Sequence, residues 1–322
     1  MDFLKSSLSN NFIFRLAVVG LLFGVPIFLS QFGRTGEYWI WVSTEMIIMA
    51  LFAMSLNLIL GFGGMVSFGH AAFFGVGAYT VALLMKKADC PLYLALLAAP
   101  CTAALAAATI GWFCVRLLGL YFSILTLAFS QLLYMVVFQW YTFTGGDDGI
   151  LGIPRPEFLG PTNFYWFCLI IFLLSFVVMR LLVRSSFGLS IMTIRENMER
   201  SKFLGINVRR YQLVNFVIAG SFAGLAGGLM AELNRFAQPD FLHWSQSAEP
   251  ILASLVGGMY SLVGPAIGST VLIFLKIVLQ QIHPAMVELW AIVLGAAILV
   301  VVLFAPSGLV GLWESLFRKS QS

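Results

Sequence analysis

Charge is scarce in this chain: Asp, Glu, Lys and Arg make up only 10% of its 322 residues, while 60% are hydrophobic. A soluble domain of this length has no interior large enough for so much apolar surface, so the chain reads as a polytopic membrane protein. Catalytic signatures are missing too. There is no G-x-x-x-x-G-K-[ST] phosphate loop, no G-x-S-x-G elbow and no H-E-x-x-H helix. The chain is therefore expected to be no enzyme and to hydrolyse no ATP itself. Its three histidines, His70, His243 and His283, lie far apart, which argues against a metal site. The four cysteines, Cys90, Cys101, Cys114 and Cys168, form no C-x-x-C pair, and most sit in apolar runs. They read as small buried hydrophobes, with no disulfide, metal or other cofactor implied. The net charge of +4 is small and follows from loop composition, so it does not point to nucleic acid. No small-residue cleavage site follows the first apolar run, which reads as a retained span and not a signal peptide.

What is present is a series of apolar runs. Spans are expected at about 11–30, 39–60, 66–85, 91–115, 119–141, 164–183, 211–231, 263–281 and 286–304. The fold class is all-α: one helical membrane bundle over residues 1–322, with about 8–10 crossings and some interrupted helices. Gly220, Gly224 and Gly228 recur every four residues, a spacing that lets helix backbones approach within one subunit or across a dimer.

Two stretches break the apolar pattern. Residues 57–70 (NLILGFGGMVSFGH) hold Gly61, Gly63, Gly64 and Gly69, a poor composition for a helix interior. The second stretch runs from Pro250 through Gly257 and Gly258 into the span at 263–281. It is too short for two full crossings, so a half-helix hairpin entering and leaving on the same side is expected. Paired interrupted segments point to a transport pathway. Its candidates are Glu45, Asn57, Gly61, Gly63, Gly64, Ser67, Gly69, His70, Gly257 and Gly258. Glu45 and His70 qualify because ionisable groups inside spans are costly to desolvate; Glu45 faces a cationic ligand group or bonds to a neighbouring helix, and His70 lines the pathway or caps a half-helix. Arg15 and Lys276 read as structural residues whose long side chains snorkel.

Residues 184–211 form the long polar segment of the chain, with Arg184, Arg195, Arg200, Lys202, Arg209 and Arg210. Ile191, Ile194, Met198, Phe203 and Leu204 recur at roughly helical spacing. Ser190 is placed to cap a first helix and Gly205 to end a second. Two short amphipathic helices on a membrane surface are expected, with Glu196 and Glu199 outward. A basic loop of this kind is cytoplasmic by the positive-inside rule, and the basic residues near the other span ends place both termini on the same side. The Gly- and Pro-rich loop at 142–163, with Asp147 and Asp148, then lies outside.

Several motifs carry a resemblance. Residues 57–79 (NLILGFGGMVSFGHAAFFGVGAY) resemble the opening motif of branched-chain amino acid ABC transporter permeases. TGGDDGILGIPRP, IRENMERSKFLGINVRRYQL, AGSFAGLAGGL, GGMYSLVGPAIG and PSGLVGLW follow in the family's order, and the chain looks like the M-type of the two paired permeases. The resemblance implies a heterodimer with a second permease, two cytoplasmic ATPases and a periplasmic binding protein that delivers substrate. It places the coupling motif E-A-A-x-x-x-G on residues 199–205, with Arg200 and Ser201 where the family has alanines. Arg195, Glu196, Glu199, Arg200, Phe203 and Gly205 are thereby expected at the ATPase contact, and Asp147 and Asp148 at the periplasmic partner. The expected function is import of branched-chain or related hydrophobic amino acids across a bacterial inner membrane by alternating access. Urea or a short amide is the alternative cargo. An ion-coupled transporter or channel is the rival class, for which more mid-span charges would be expected.

Overall fold

The computed structural model describes residues 20, 23–156, 158–282, 295 and 308–311. The expected span at 286–304 and most of that at 11–30, with Arg15, lie outside the described residues. Among the described residues, six helices are long and apolar enough to cross a membrane: Gly33–Phe62, Leu92–Cys114, Leu120–Gln139, Pro161–Arg184, Val208–Asn234 and Gly264–Gln281. The architecture is thus a polytopic all-α membrane bundle, with one two-residue strand pair at an end.

We label the helices α1 (Gly33–Asn57), α2 (His70–Lys87), α3 (Leu92–Cys114), α4 (Leu120–Gln139) and α5 (Pro161–Arg184). The short helices α6 (Ser186–Glu196) and α7 (Met198–Phe203) follow, then α8 (Val208–Asn234), α9 (Trp244–Gly257) and α10 (Gly264–Ile282). Local signals explain several boundaries. Pro161 opens α5 at a first-turn position, where proline's fixed φ suits the helix and its missing N–H is not needed, and Pro91 stands in extended backbone just before α3. Two short strands, β1 (Ile150–Leu151) and β2 (Phe236–Ala237), pair antiparallel and tie the loop after α4 to the end of α8.

At the centre, α8 packs against α1, α2 and α3. The glycine stripe makes that packing possible. A methyl added at Gly224 would strike Ala103 and the Ala99 carbonyl, and one at Gly227 would strike the Phe74 carbonyl. The stripe is therefore a groove inside the subunit, where backbones approach closely and dispersion contacts replace a hydrophobic driving force that lipid does not supply. The outer faces are apolar as well: Leu105, Leu120, Ile124, Leu174 and Leu181 are exposed, a surface suited to acyl chains and not to water.

The second break differs from the expected hairpin. Helix α9 has 14 residues, about 21 Å, short of the roughly 30 Å hydrocarbon layer. It begins at Trp244 and carries Pro250 inside, whereas α10 has 19 residues and is long enough to cross. The two legs pair antiparallel: a Cβ at Gly268 would meet the Ala253 carbonyl, and one at Gly257 the Gly264 carbonyl. The hairpin is thus lopsided, with only its first leg broken. That leg leaves β2, passes through a single 3-10 turn at Pro239–Leu242, and becomes helical only at bundle mid-depth. The depth follows from two bonds. Ser130 Oγ, halfway along α4, donates to the Leu242 carbonyl at 2.7 Å, and Ser247 Oγ accepts from the Ala71 N–H at 2.8 Å. Non-helical backbone at this depth requires such cover, because lipid offers no hydrogen-bond partner.

Candidate functional site

The first break is a helix that changes pitch before it stops. After Asn57, α1 widens into a π-helical segment, Leu58–Phe62, and the chain then runs without regular structure to His70. Widening frees backbone carbonyls, and in an apolar setting each needs a partner. Asn215 of α8 donates its Nδ2 to the Leu58 carbonyl at 2.8 Å. The N–H groups of Met65 and Gly64 bond to the carbonyls of Ile59 and Leu60. The Gly61 carbonyl takes a hydrogen bond from Arg195 Nη1.

The glycines let other backbone come close. A Cβ at Gly61 would collide with the Met259 carbonyl, and one at Gly63 would sit 2.6 Å from the Ile59 carbonyl. Gly64 has φ +68°, a left-handed conformation that disfavours a side chain, and lies against the Arg195 stem. Asn57 Nδ2 donates to the Ser261 carbonyl at 3.1 Å. The two breaks, far apart in sequence, therefore meet at one end of the bundle. The turn 258–261 after α9 packs on residues 57–64, and Gly308 packs on Gly258.

Arg195 joins this meeting point to α6. Its guanidinium bonds to Gly61 of the first break and lies over the ring of Tyr260 in the second, 4.5 Å from the centroid. Sequence reading grouped Arg195 with the exposed coupling residues; the structure turns its side chain inward, between the two breaks.

The pair α6–α7 keeps the charged coupling candidates Glu196, Glu199 and Arg200 outward. Its cap is Ser185, whose Oγ accepts from the Gly188 N–H, and not Ser190, whose hydroxyl bonds back to the Ser186 carbonyl in mid-helix. Ser190 lies a turn inside the helix, where the N–H groups are already paired. Asn197 separates the helices and caps α7 through the Arg200 N–H, and Gly205, at φ +80°, follows its end. Ile191, Ile194 and Val208 form a small core with Met198. The apolar stripe stops there: Phe203 is 89% exposed and Leu204 67%, where helical spacing alone would have packed them. Glu196, Glu199 and Arg200 are exposed beside them, with Glu199 paired to Lys202 at 2.7 Å. This face is an apolar knob ringed by charge.

The remaining candidates separate. His70 is fully buried, 2.9 Å from Ser55 Oγ and stacked on Phe52, so it organises the start of α2 within the core. Ser67 is buried, and Gly69 backs onto the Thr126 carbonyl. Glu45 lines a cleft of about 190 Å³ between α1, α9 and α10 that also holds Glu249 and Lys276. Asp147 and Asp148 are exposed on a 3-10 turn at the opposite end, next to the strand pair. There Arg155 makes a bond that sequence reading missed: its Nε meets Glu232 Oε1 at 3.2 Å, and both residues are largely buried. Asn215, Glu249 and the inward turn of Arg195 were missed as well. A polar residue inside the apolar run 211–231 was the available signal for Asn215.

Comparison with known proteins agrees with this architecture. Residues 40–302 match the family described as branched-chain amino acid transport system / permease component. The chain is 27% identical over 296 residues to the high-affinity branched-chain amino acid transport system permease protein LivM of Escherichia coli, covering 83% of this chain and 69% of that one. It is 27% identical over 164 residues to the probable branched-chain amino acid transport permease protein LivH of Methanocaldococcus jannaschii, covering 46% and 51%. A guanosine ABC transporter permease protein, NupQ of Bacillus subtilis, is 30% identical over 105 residues, 32% of each chain. No solved structure matches. A family match over most of the chain, on a polytopic bundle with two broken segments, makes this protein a member of the branched-chain amino acid permease family.

Proposed function

We propose that this permease subunit imports branched-chain amino acids across the bacterial inner membrane, in a complex with a second permease, two ATPases and a periplasmic binding protein. The end bearing α6–α7 is cytoplasmic, and the strand-pair end with Asp147 and Asp148 receives the binding protein. The observation that carries the reading is Arg195. One side chain of the exposed helix pair is bonded to the first break and stacked on the second. ATPase subunits that grip Phe203, Leu204 and Glu199 move α6–α7, and Arg195 carries that motion to both broken segments. The segments are suited to respond, since irregular backbone bends where a continuous helix resists.

The test is reconstitution of the four components in liposomes, with ATP hydrolysis measured against a panel of solutes. Leucine, isoleucine and valine should stimulate hydrolysis; urea, short amides and guanosine should not. Stimulation by urea or guanosine alone would reassign the cargo. Solute uptake without ATPase subunits would move the chain to the ion-coupled or channel class.

A further inference from the structure

The cleft between α1, α9 and α10 carries charge of both signs inside the membrane-spanning part of the bundle. Glu45 comes from the middle of α1, Glu249 from the second turn of the half-helix α9, and Lys276 from α10. The cleft thus holds one basic group and two acidic ones. Among the described residues none of them forms an ion pair: the recorded pairs are Arg155–Glu232 and Lys202–Glu199. A structural salt bridge would pair them directly; here all three, unpaired, line one cavity of about 190 Å³. Its walls include Met49, Leu272 and Ile277. Its volume lies below the roughly 300–1,000 Å³ of clefts that hold drug-sized ligands.

We infer that this cleft is a transient binding site for a small zwitterion on its way through the subunit. Lys276 takes the carboxylate, Glu45 and Glu249 take the ammonium group, and the apolar wall takes the side chain. Mid-span ionisable residues that face a cavity are expensive to desolvate, and a ligand of opposite polarity at each end offsets that cost. The half-helix contributes as well: Glu249 and Pro250, both in its second turn, line the cleft from α9. The inference rests on the amino-acid reading above and adds the site to it. It also replaces the expectation that Lys276 merely snorkels.

The test uses the full reconstituted complex with the native cysteines replaced and a single Ser269→Cys, a near-isosteric change at a residue lining the cleft. Labelling by a small thiol reagent is followed with and without leucine. Leucine at about ten times its Kd should slow labelling about tenfold by occupancy. The analogues 4-methylpentanoate and 3-methylbutylamine, each lacking one charged end, should not. Lys276→Met should abolish protection while the ATPases still co-purify, and Lys276→Arg should keep it. If the wild-type complex imports leucine but labelling is indifferent to leucine, the cleft is not the site and the permease reading stands. If the wild-type complex imports no amino acid, both readings fall together. Equal protection by either one-ended analogue would show an apolar pocket with no role for the charges, and would overturn the zwitterion assignment.

Discussion

Arg195 shows how one residue can be legible in a sequence by type and illegible by direction. Its place in a basic loop is plain from composition, and so is its helix. Which way it turns depends on Gly61 and Tyr260, which lie far from it along the chain. Gly64 is set by the same contact. Its positive φ costs an alanine about 1–2 kcal/mol, and the added methyl would press on the Arg195 stem, 2.7 Å away. Gly64→Ala should therefore lower leucine uptake while leaving the amount of subunit in the membrane near normal; measured together, uptake and abundance separate the two effects. Gly205 offers a cleaner case, because nothing lies within 4 Å of its missing side chain. Gly205→Val should carry only the backbone cost of roughly 1–2 kcal/mol, and Gly205→Asn should restore most of the function, since asparagine tolerates the left-handed region. Co-purification of the ATPases with each variant reads this out. Equal loss for both variants would mean that the glycine is needed for contact and not for conformation.

Helices formed by long apolar runs were legible because the bilayer fixes their length. The expected spans at 91–115, 119–141 and 164–183 fall on α3, α4 and α5 within a few residues. The elements at the breaks were not, because their boundaries answer to tertiary hydrogen bonds. The π-helical turn at Leu58–Phe62 has Asn215 as a partner for one carbonyl, and no local pattern announces a residue so distant. The same holds for the start of α9, which depends on cover from α2 and α4 for its non-helical lead. Glycine spacing in α8 was legible as close packing but not as to partner, since period four fits a groove within one chain or between two. Gly224→Val should distinguish these at the level of the element. Inside the groove it would drive the side chain into Ala103, and the overpacking should cost roughly 1–3 kcal/mol or more. Loss of folded subunit even without the second permease is expected. Normal accumulation alone, with failed pairing, would place the stripe at the subunit interface.

At the scale of the whole molecule, the two ends differ in chemistry. One carries the exposed α6–α7 pair with its apolar knob, the other the strand pair, Asp147 and Asp148. Both Asn207 and Asp147 are exposed, so cysteine at either position is reachable by reagents. Asn207→Cys should react only with membrane-permeant reagents and Asp147→Cys with impermeant ones too; the reverse pattern would invert the orientation. Docking should be sensitive to charge and not to stability. The Glu199–Lys202 pair is largely exposed, so its loss changes folding by about 0–1 kcal/mol, whereas Glu199→Lys puts a third positive group beside Arg200 and Lys202. Normal expression with lost ATPase association is expected, and unchanged association would remove this face from the docking surface.

The central claim is that α6–α7 governs both breaks through Arg195, and Arg195→Met in the reconstituted complex tests it most directly. The methionine keeps an unbranched side chain but loses a charged hydrogen bond worth about 1.5–3 kcal/mol and the contact with Tyr260. The outward docking residues stay intact. The account predicts that the ATPases still co-purify and hydrolyse ATP, while leucine uptake per ATP hydrolysed falls by roughly tenfold or more, the equivalent of about 1.4 kcal/mol. Wild-type uptake per ATP in that variant would contradict it.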